Sequence, residues 1–246
     1  MLWVHIKTIL SFRAYHQLAA TPLRYRIGFV IYLLLASFLA VYFFSGSLIR
    51  RNLPVFLKNF PQITIEKGVL TEPKTPVFAP IPNSSFRLAF DASRTQPPSV
   101  NEMVQNNTLM LVSANTLYIP GAAGMQTREL PPEVSVTTSQ DFLRENQPDI
   151  AAVLRLMAFT ASLLLIPLIL AFDFCLATLV GCFFNSLRAR RVSYTRVMTW
   201  ALFLLGPLAV LWWVKLWVHI PLFMFAQVIL CIIYMQQIFN TLPEGN

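Results

Sequence analysis

The chain has 246 residues, of which 56% are hydrophobic and only 12% are charged, yet its formal net charge is +8. The surplus of basic residues lies in two short segments that contain no acid, 1–26 and 185–196. Their basic residues are Lys7, Arg13, Arg24, Arg26, Arg188, Arg190, Arg191 and Arg196. Bases confined to short loops beside apolar runs follow the positive-inside rule of membrane proteins. The charge therefore argues against a nucleic-acid partner and indicates the lipid bilayer.

The first two apolar stretches each predict a transmembrane helix, because a crossing of the hydrocarbon core takes about 20 helical residues. Residues 27–48 form the first stretch and residues 150–184 the second. The second stretch is too long for a straight crossing, so we expect its helix to protrude, to tilt or to bend at Pro167.

The last apolar block, residues 194–239, predicts two helices because polar or helix-breaking residues interrupt it near its middle. These residues are Lys215, His219 and Pro221. We predict a third transmembrane helix at 194–214 and a fourth at 218–239. Three tryptophans cluster beside the break, where we expect them to anchor the turn at a membrane surface. They are Trp212, Trp213 and Trp217.

Placing both basic segments in the cytoplasm orients the four predicted helices. Both termini then lie in the cytoplasm, including a tail at 240–246, and residues 50–148 form one large loop outside. The further residues expected to anchor the helices at the membrane are Trp3, Arg24, Arg26, Arg188, Arg190 and Arg191. The predicted fold is an α-helical integral membrane protein with four transmembrane helices and a small β-rich (α+β) extracytoplasmic domain inserted between helices 1 and 2.

Residues 1–21 predict an amphipathic helix that lies flat on the cytoplasmic leaflet and ends near Pro22. Apolar residues recur there at helical spacing, with polar residues mostly on the other side. The apolar set is Leu2, Trp3, Ile6, Ile9 and Leu10, and the polar set is His5, Lys7, Thr8 and Arg13. The helix is interpreted as an anchor that sets the pitch of helix one; the alternative is a device that recruits a partner.

The predicted outer domain, residues 50–148, is polar and rich in proline. Short runs with β-branched or alternating residues, separated by turn signals, predict six strands. These strands are 62–66, 75–78, 85–91, 108–112, 116–119 and 134–138. The fourth and fifth are expected to form a hairpin. Residues 99–105 predict a short helix capped by Ser99, with Glu102 three residues on.

The chemistry of this domain favours binding over catalysis. Every histidine and cysteine of the chain lies outside residues 50–148, which excludes a disulfide, a His/Cys metal site and a Ser-His triad within it. Its nine acids and nine bases, counted over residues 50–149, show no spacing that singles out a catalytic pair. We therefore predict no catalytic residue, no metal ligand, no cofactor and no enzymatic activity.

Asp173 is the most informative residue of the predicted bundle, because an ionisable group inside a spanning helix is expensive and often functional. Arg155 lies on the same face but about 27 Å away along the axis, so the two cannot pair within one straight helix. Gln227 of the fourth helix or a cytoplasmic arginine is a closer candidate partner, whereas Arg155 can extend toward the outer headgroups. The contact is interpreted as one that fixes the bundle; the alternative is a proton or ion relay.

Short motifs along most of the chain resemble a bacterial membrane family, the domain-of-unknown-function family eleven eighty-nine, which includes a maltodextrin-utilisation membrane protein. The resemblance rests on residues 60–70, which read FPQITIEKGVL, on Pro76-Val77, on the strand ending in Phe90-Asp91, and on residues 190–194. Lys67 stands where the family commonly has Asn. The resemblance implies a bacterial inner-membrane location and a β-rich outer domain, and it assigns no catalytic residue.

Two functions are favoured by the sequence, and an enzyme that works at the membrane face is a third alternative. The first is a non-enzymatic membrane scaffold or accessory subunit whose outer domain binds a membrane or envelope protein or another envelope component. The alternative is a small transporter or channel subunit that uses Asp173, together with Gln227 and Thr178, in a bundle that a homo-oligomer would complete.

Overall fold

The chain divides into a helical unit and a β-rich unit. The helical unit comprises Met1–Gly46 and Leu156–Asn246, and the β-rich unit comprises Ser47–Arg155. The structure, a computed structural model, describes residues 1–94, 96–188, 191–218, 220 and 222–242. Arg190, His219, Pro221 and the end of the predicted tail, 243–246, lie outside the described residues.

Eight helices and eight strands are found in the part of the chain that the structure describes. The helices are α1 (Leu2–Leu10), α2 (Ala14–Ala19), α3 (Leu23–Lys58), α4 (Val100–Gln105), α5 (Gln140–Glu145), α6 (Gln147–Ser186), α7 (Tyr194–Trp217) and α8 (Phe223–Asn240). The strands are β1 (Thr64–Glu66), β2 (Val69–Glu72), β3 (Val77–Pro80), β4 (Arg87–Phe90), β5 (Thr108–Ser113), β6 (Thr116–Gly121), β7 (Gly124–Glu129) and β8 (Val136–Thr137).

Four of these helices, α3, α6, α7 and α8, are long and apolar enough to cross a membrane. They correspond to the four predicted transmembrane helices, but α3 has 36 residues and continues ten residues past the predicted end at residue 48. The reason is packing: Leu53 and Leu57 are buried against Leu143 of α5. Hydropathy locates the apolar part of a helix, whereas contacts of this kind decide where the helix ends.

Helix α7 is the most enclosed of the four long helices of the described structure. Trp200, Phe203, Leu204 and Leu208 have no measurable exposure, and α1, α2 and α8 all pack against this helix. In contrast, α3, α6 and α8 expose apolar side chains along much of their length. A buried central helix surrounded by helices with apolar outer surfaces is compatible with a bundle in lipid, where polar groups turn inward.

The amino-terminal segment differs from the predicted single amphipathic helix in two respects. It forms two short helices, α1 and α2, and the face of α1 that packs against the bundle carries His5 and Thr8, not the apolar set. Leu2, Trp3 and Leu10 are exposed instead. The polar face turns inward because it finds partners there: Thr8 Oγ1 donates to the His5 carbonyl at 2.7 Å, and His5 contacts α7.

Gly206 provides the space for this contact. A Cβ added at Gly206 would lie 2.6 Å from Thr8 Oγ1 and 3.1 Å from His5 Cδ2, so only glycine lets α1 approach the backbone of α7 this closely. Gly206 is followed by Pro207 inside the helix, as the sequence shows. The pair therefore marks the position on α7 where α1 docks.

Two sheets form the β-rich unit. The larger sheet has the strand order β3-β4-β5-β6-β7, in which β4 and β5 are parallel and the other neighbours are antiparallel. The smaller sheet has the order β2-β1-β8 and is antiparallel. The chain passes from β4 to β5 through α4, which makes a β-α-β connection. The predicted hairpin is confirmed as β5 and β6.

All six predicted strands are found, with bounds shifted by up to two residues, but β2 and β7 were not predicted. Strand β7 has the sequence GMQTRE and is exposed over its last four residues, so it lacks the alternation that identifies a half-buried strand. The predicted short helix is α4, and Ser99 Oγ accepts from the Glu102 backbone N–H at 3.1 Å, as a cap does.

The larger sheet is covered on both faces. One face packs on the smaller sheet, where Ile65, Leu70, Phe90 and Val112 belong to one core. The other face packs on α4, where Met103 contacts Ala89 and Leu111. Helix α4 has only six residues and lies over β5 and β6, so the part of this second face formed by β3 and β4 is less covered.

The docking of α1 on α7 can be tested with two matched glycine substitutions in helices. Gly206→Ala is expected to lower the stability of the detergent-solubilised protein by about 1–3 kcal/mol, because the methyl group overpacks against Thr8. Gly46→Ala is expected to be neutral or slightly stabilising, because nothing lies within 4 Å of its Cβ and alanine favours helix. Thermal unfolding and the protease sensitivity of residues 1–20 are measured for both variants. Equal unfolding temperatures and equal cleavage in the two variants would contradict the docking of α1 on α7.

Candidate functional site

Asp173 is buried in the helical unit, with 1% of its surface exposed. It belongs to the stripe of α6 residues that is turned away from the exterior, and Gln227 of α8 is buried beside it. Gln227 Nε2 donates to Asp173 Oδ1 at 2.9 Å. The structure thus brings together two of the three residues that the sequence suggested as an intramembrane polar contact.

The second oxygen of this carboxylate, Oδ2, is buried and has no hydrogen-bond partner among the described residues. No ion pair to Asp173 is formed within the described ranges either. A cavity of about 10 Å³ adjoins the carboxylate, and Ser37, Ile166 and Trp212 contribute to its wall. That volume suits roughly one water molecule. A proton, a cation or a water molecule would therefore be received at Oδ2, because a buried unpaired charge is costly.

A line of polar groups crosses the helical unit close to this cavity. Ser37 of α3 lies on the cavity wall, and its Oγ accepts from Trp213 Nε1 of α7 at 3.1 Å. The Trp213 ring lies 5.5 Å from the His5 ring in an edge-on arrangement. We call this line, made of His5, Tyr32, Ser37, Trp213, Asp173 and Gln227, the polar seam.

His5 forms the far end of the polar seam and bridges two helices. Its Nε2 lies 3.0 Å from the Gly206 carbonyl oxygen and its Nδ1 lies 3.0 Å from the Tyr32 hydroxyl. A carbonyl can only accept, so Nε2 carries the hydrogen and the neutral ring accepts from Tyr32 at Nδ1. Both ring nitrogens are used in this tautomer, and a single histidine thereby connects α1 to α3 and α7.

Sequence reasoning identified Asp173 and Gln227 but missed the rest of the polar seam. Ser37 and Tyr32 are isolated polar groups in an apolar helix, which was a usable signal. Trp213, which the sequence predicts at a membrane surface, donates its indole N–H to Ser37. Trp212 is half-buried beside the cavity, and Trp217 is exposed and packs edge-on against Phe44.

Two of the predicted anchoring arginines donate to carbonyl groups at the ends of helices. Arg26 donates to the carbonyl oxygens of Ala19 and Thr21 at the end of α2, at 3.0 and 3.1 Å. Arg188 donates to the Phe239 carbonyl at the end of α8, at 2.8 Å. Cations at helix carboxyl ends satisfy free carbonyls and oppose the negative end of the helix dipole.

Three other predicted anchors within the described ranges lie on the surface. Arg24 and Arg191 are exposed, and Trp3 is exposed beneath the Lys7 ammonium, which lies 5.4 Å from the centroid of its ring. Arg155 is exposed and forms no ion pair with any residue that the structure describes. These positions suit residues that contact headgroups or solvent, and they give Arg155 no part in the polar seam.

The β-rich unit has a second candidate site, which we call the α4 cavity. This space of about 270 Å³ lies beside α4 on the face of the larger sheet, over β3 and β4. Its lining combines apolar side chains, such as Phe78 and Met103, with charged ones. Arg94 and Glu102 form the ion pair there, with two nitrogen–oxygen contacts of 2.8 Å.

The ion pair keeps Arg94 and Glu102 charged at the cavity wall. The side-chain hydrogen bond from Arg94 lowers the pKa of Glu102, and the same bond raises the pKa of Arg94. Both groups therefore stay ionised over the physiological pH range. Any stability that this partly exposed pair contributes is lost only as the pH falls below the ordinary pKa of a glutamate. Among the described residues, no cluster of three or more His, Cys, Asp or Glu side chains is placed to hold a metal ion.

Comparison with known proteins gives a family but no characterised relative. The family model described as "Protein of unknown function (DUF1189)" matches residues 5–239, which is nearly the whole chain and includes both units. No curated protein and no solved structure matches the chain.

Proposed function

The chain belongs to the DUF1189 family, whose function is unknown, and we propose that it is a non-enzymatic scaffold or accessory subunit of the bacterial inner membrane. In this proposal α3, α6, α7 and α8 cross the bilayer and both termini are cytoplasmic. The β-rich unit then lies outside and binds a protein or another envelope component. The apolar helices support the membrane assignment, and the two acid-free basic segments support the orientation.

The observation that carries the binding role is the free edge of strand β7. Strands β6 and β7 are joined by the two-residue turn Ala122-Ala123, with Gly121 paired to Gly124. In such a hairpin the residues flanking the turn form a hydrogen-bonded pair, and hydrogen-bonded pairs then alternate along the strands. Met125, Thr127 and Glu129 accordingly direct their backbone N–H and C=O groups away from β6.

The two edges of the larger sheet are not equivalent. Strand β3 has only four residues and ends in Pro80, and proline with short length is a common protection of an edge. Strand β7 has six residues, contains no proline and pairs only with β6 in the described structure. A long edge without these protections fits the addition of an extended strand from a partner protein.

Strand addition also accounts for the composition of β7. Backbone groups supply the hydrogen bonds in this mode of recognition, so the strand does not need the apolar side chains that a buried interface requires. Each backbone hydrogen bond contributes about 0.5–1.5 kcal/mol net, and three outward residues can form several of them. We therefore propose that the partner contributes an extended segment that pairs with β7.

Replacement of Thr127 tests this directly, because its N–H is predicted to point away from β6. Thr127→Pro removes that N–H without removing a β6–β7 hydrogen bond, whereas Thr127→Ala keeps the N–H. Protein purified in mild detergent from its native membranes is expected to retain an identified partner in the wild type and in Thr127→Ala, and to lose most of it in Thr127→Pro. Equal unfolding temperatures of the two variants serve as the control for folding.

Two results contradict the proposal. The first is a wild-type chain that purifies alone under conditions that preserve other membrane complexes. The second is equal retention of the partner by Thr127→Pro and Thr127→Ala, which would show that the partner binds elsewhere.

A second candidate function is a small transporter or channel subunit, and the open oxygen of Asp173 supports it. Asp173 Oδ2 and Thr178 Oγ1 are both buried without a partner within the described structure. Four helices make a thin wall for an ion pathway, so this function needs a homo-oligomer. The polar seam supplies more polar groups than the sequence suggested, which favours this alternative more than Asp173 alone does.

Proton flux into vesicles reconstituted with the pure chain tests this alternative. A pH-sensitive dye is expected to report flux that disappears in Asp173→Asn, which keeps an acceptor for Gln227 but cannot ionise. Thr160→Val, at an exposed site on the same helix, is the matched control and is expected to keep the flux. Absence of flux in the wild type, or equal flux in Asp173→Asn, removes this candidate.

A further inference from the structure

We infer that the α4 cavity binds a small anionic ligand, whose carboxylate or phosphate group is held by Arg87 and whose apolar body lies on the cavity floor. The inference rests on the proposed role of the β-rich unit as a binding module, and it gives the chemistry of a ligand at a surface separate from β7.

The cavity forms because α4 is short. Six helical residues span about 9 Å, and α4 lies over β5 and β6. Phe78 of β3 and Arg87 of β4 project from the same face of the sheet, since Phe78 pairs with Ala89 and Pro80 with Arg87. Phe78 is 46% exposed as a result. An aromatic ring at the base of an open concave space is a typical feature of a ligand site.

Three of the four charged groups that line this cavity already have partners. Arg94 and Glu102 neutralise each other through their two contacts of 2.8 Å. Asp91 Oδ1 accepts from the backbone N–H and the hydroxyl of Ser93, at 3.1 and 2.7 Å. Arg87 is different, because no acid lies within ion-pair distance among the described residues and its Nε is buried without a hydrogen-bond partner.

The guanidinium of Arg87 lines the cavity without an acid partner among the described residues, and an oxyanion is the acceptor that matches it best. Arg87 is also held in place: its guanidinium carbon lies 3.9 Å from the centroid of the Phe78 ring. Stacking on an aromatic ring reduces the freedom of the guanidinium and leaves its in-plane donors available for a bidentate contact. The site is therefore preorganised for a carboxylate or a phosphate.

The cavity floor determines the rest of the ligand. Phe78, Ala89, Met103 and Leu111 are apolar and line the same space of about 270 Å³. A bare inorganic anion would leave that floor uncovered, whereas an anion attached to an apolar or aromatic group would bury it. The expected ligand is thus amphipathic and small, with one oxyanion and one apolar group.

Calorimetry on the full chain in nanodiscs of zwitterionic phosphatidylcholine tests the inference with defined probes. Benzoate and phenyl phosphate carry the two candidate anions on one ring, benzyl alcohol carries no charge, and acetate and inorganic phosphate lack the ring. We expect benzoate or phenyl phosphate to bind at least 10-fold more tightly than benzyl alcohol and than the bare anion of the same kind. Comparison of benzoate with phenyl phosphate decides which oxyanion the site prefers.

Variants assign the binding to Arg87. Arg87→Gln is expected to weaken the anionic probe at least 10-fold, and Arg87→Lys, which keeps the charge but not the fork, to weaken it less. Arg144→Gln, at an exposed site on α5, is the matched control and should bind like the wild type. If Arg87→Gln fails to fold, the wild type still tests the inference, because an anion site binds the charged ring compounds more tightly than benzyl alcohol.

The inference is overturned if the wild type binds neither anionic ring compound, binds benzyl alcohol equally well, or loses nothing in Arg87→Gln. A wild-type chain that fails to bind the anions but still captures its partner through β7 overturns this inference and leaves the proposed function standing. A wild-type chain that binds the anions but captures no partner through β7 overturns the proposed function and leaves this inference standing.

Discussion

Helix α1 approaches α7 closely because Gly206 has no side chain, and the arrangement of the helical unit depends on this contact. The approach lets His5 donate to the Gly206 carbonyl and accept from Tyr32, so one ring connects three helices. Buried polar groups of this kind are costly unless they pair with one another. The same requirement explains why Trp213 donates to Ser37 and Gln227 to Asp173, while apolar side chains are left on the outside.

In the β-rich unit, the candidate binding surfaces are the parts of the larger sheet that no other element covers or pairs with among the described residues. The short helix α4 leaves part of one sheet face open, and the meander β5-β6-β7 ends in a strand with a free edge. Neither feature involves an arrangement of nucleophile and base. Both offer recognition chemistry, through backbone groups along β7 and through a guanidinium stacked on an aromatic ring, and this favours a binding role over a catalytic one.

The predictable features are those with a signal that extends over many neighbouring residues. Long apolar runs predicted α3, α6, α7 and α8, and β-branched alternation predicted six of the strands. Strand β7 was missed because pairing with β6, and not its own side chains, holds it in place. Amphipathicity identified two faces in residues 2–10 but not which face turns inward, since that choice depends on Gly206. The partners of Asp173 and Trp213 depend on contacts between distant segments, and only Gln227 was anticipated.

The proposed location of the β-rich unit outside the cytoplasm is tested most directly by labelling of single cysteines. In a chain whose Cys175, Cys182 and Cys231 are replaced by alanine, Ala123→Cys places a thiol in the exposed β6–β7 turn and Leu187→Cys places one at an exposed site after α6. A membrane-impermeant maleimide is expected to label Ala123→Cys in intact spheroplasts, and Leu187→Cys only after the membrane is opened. The reverse pattern, or equal labelling of both in intact spheroplasts, would contradict the account.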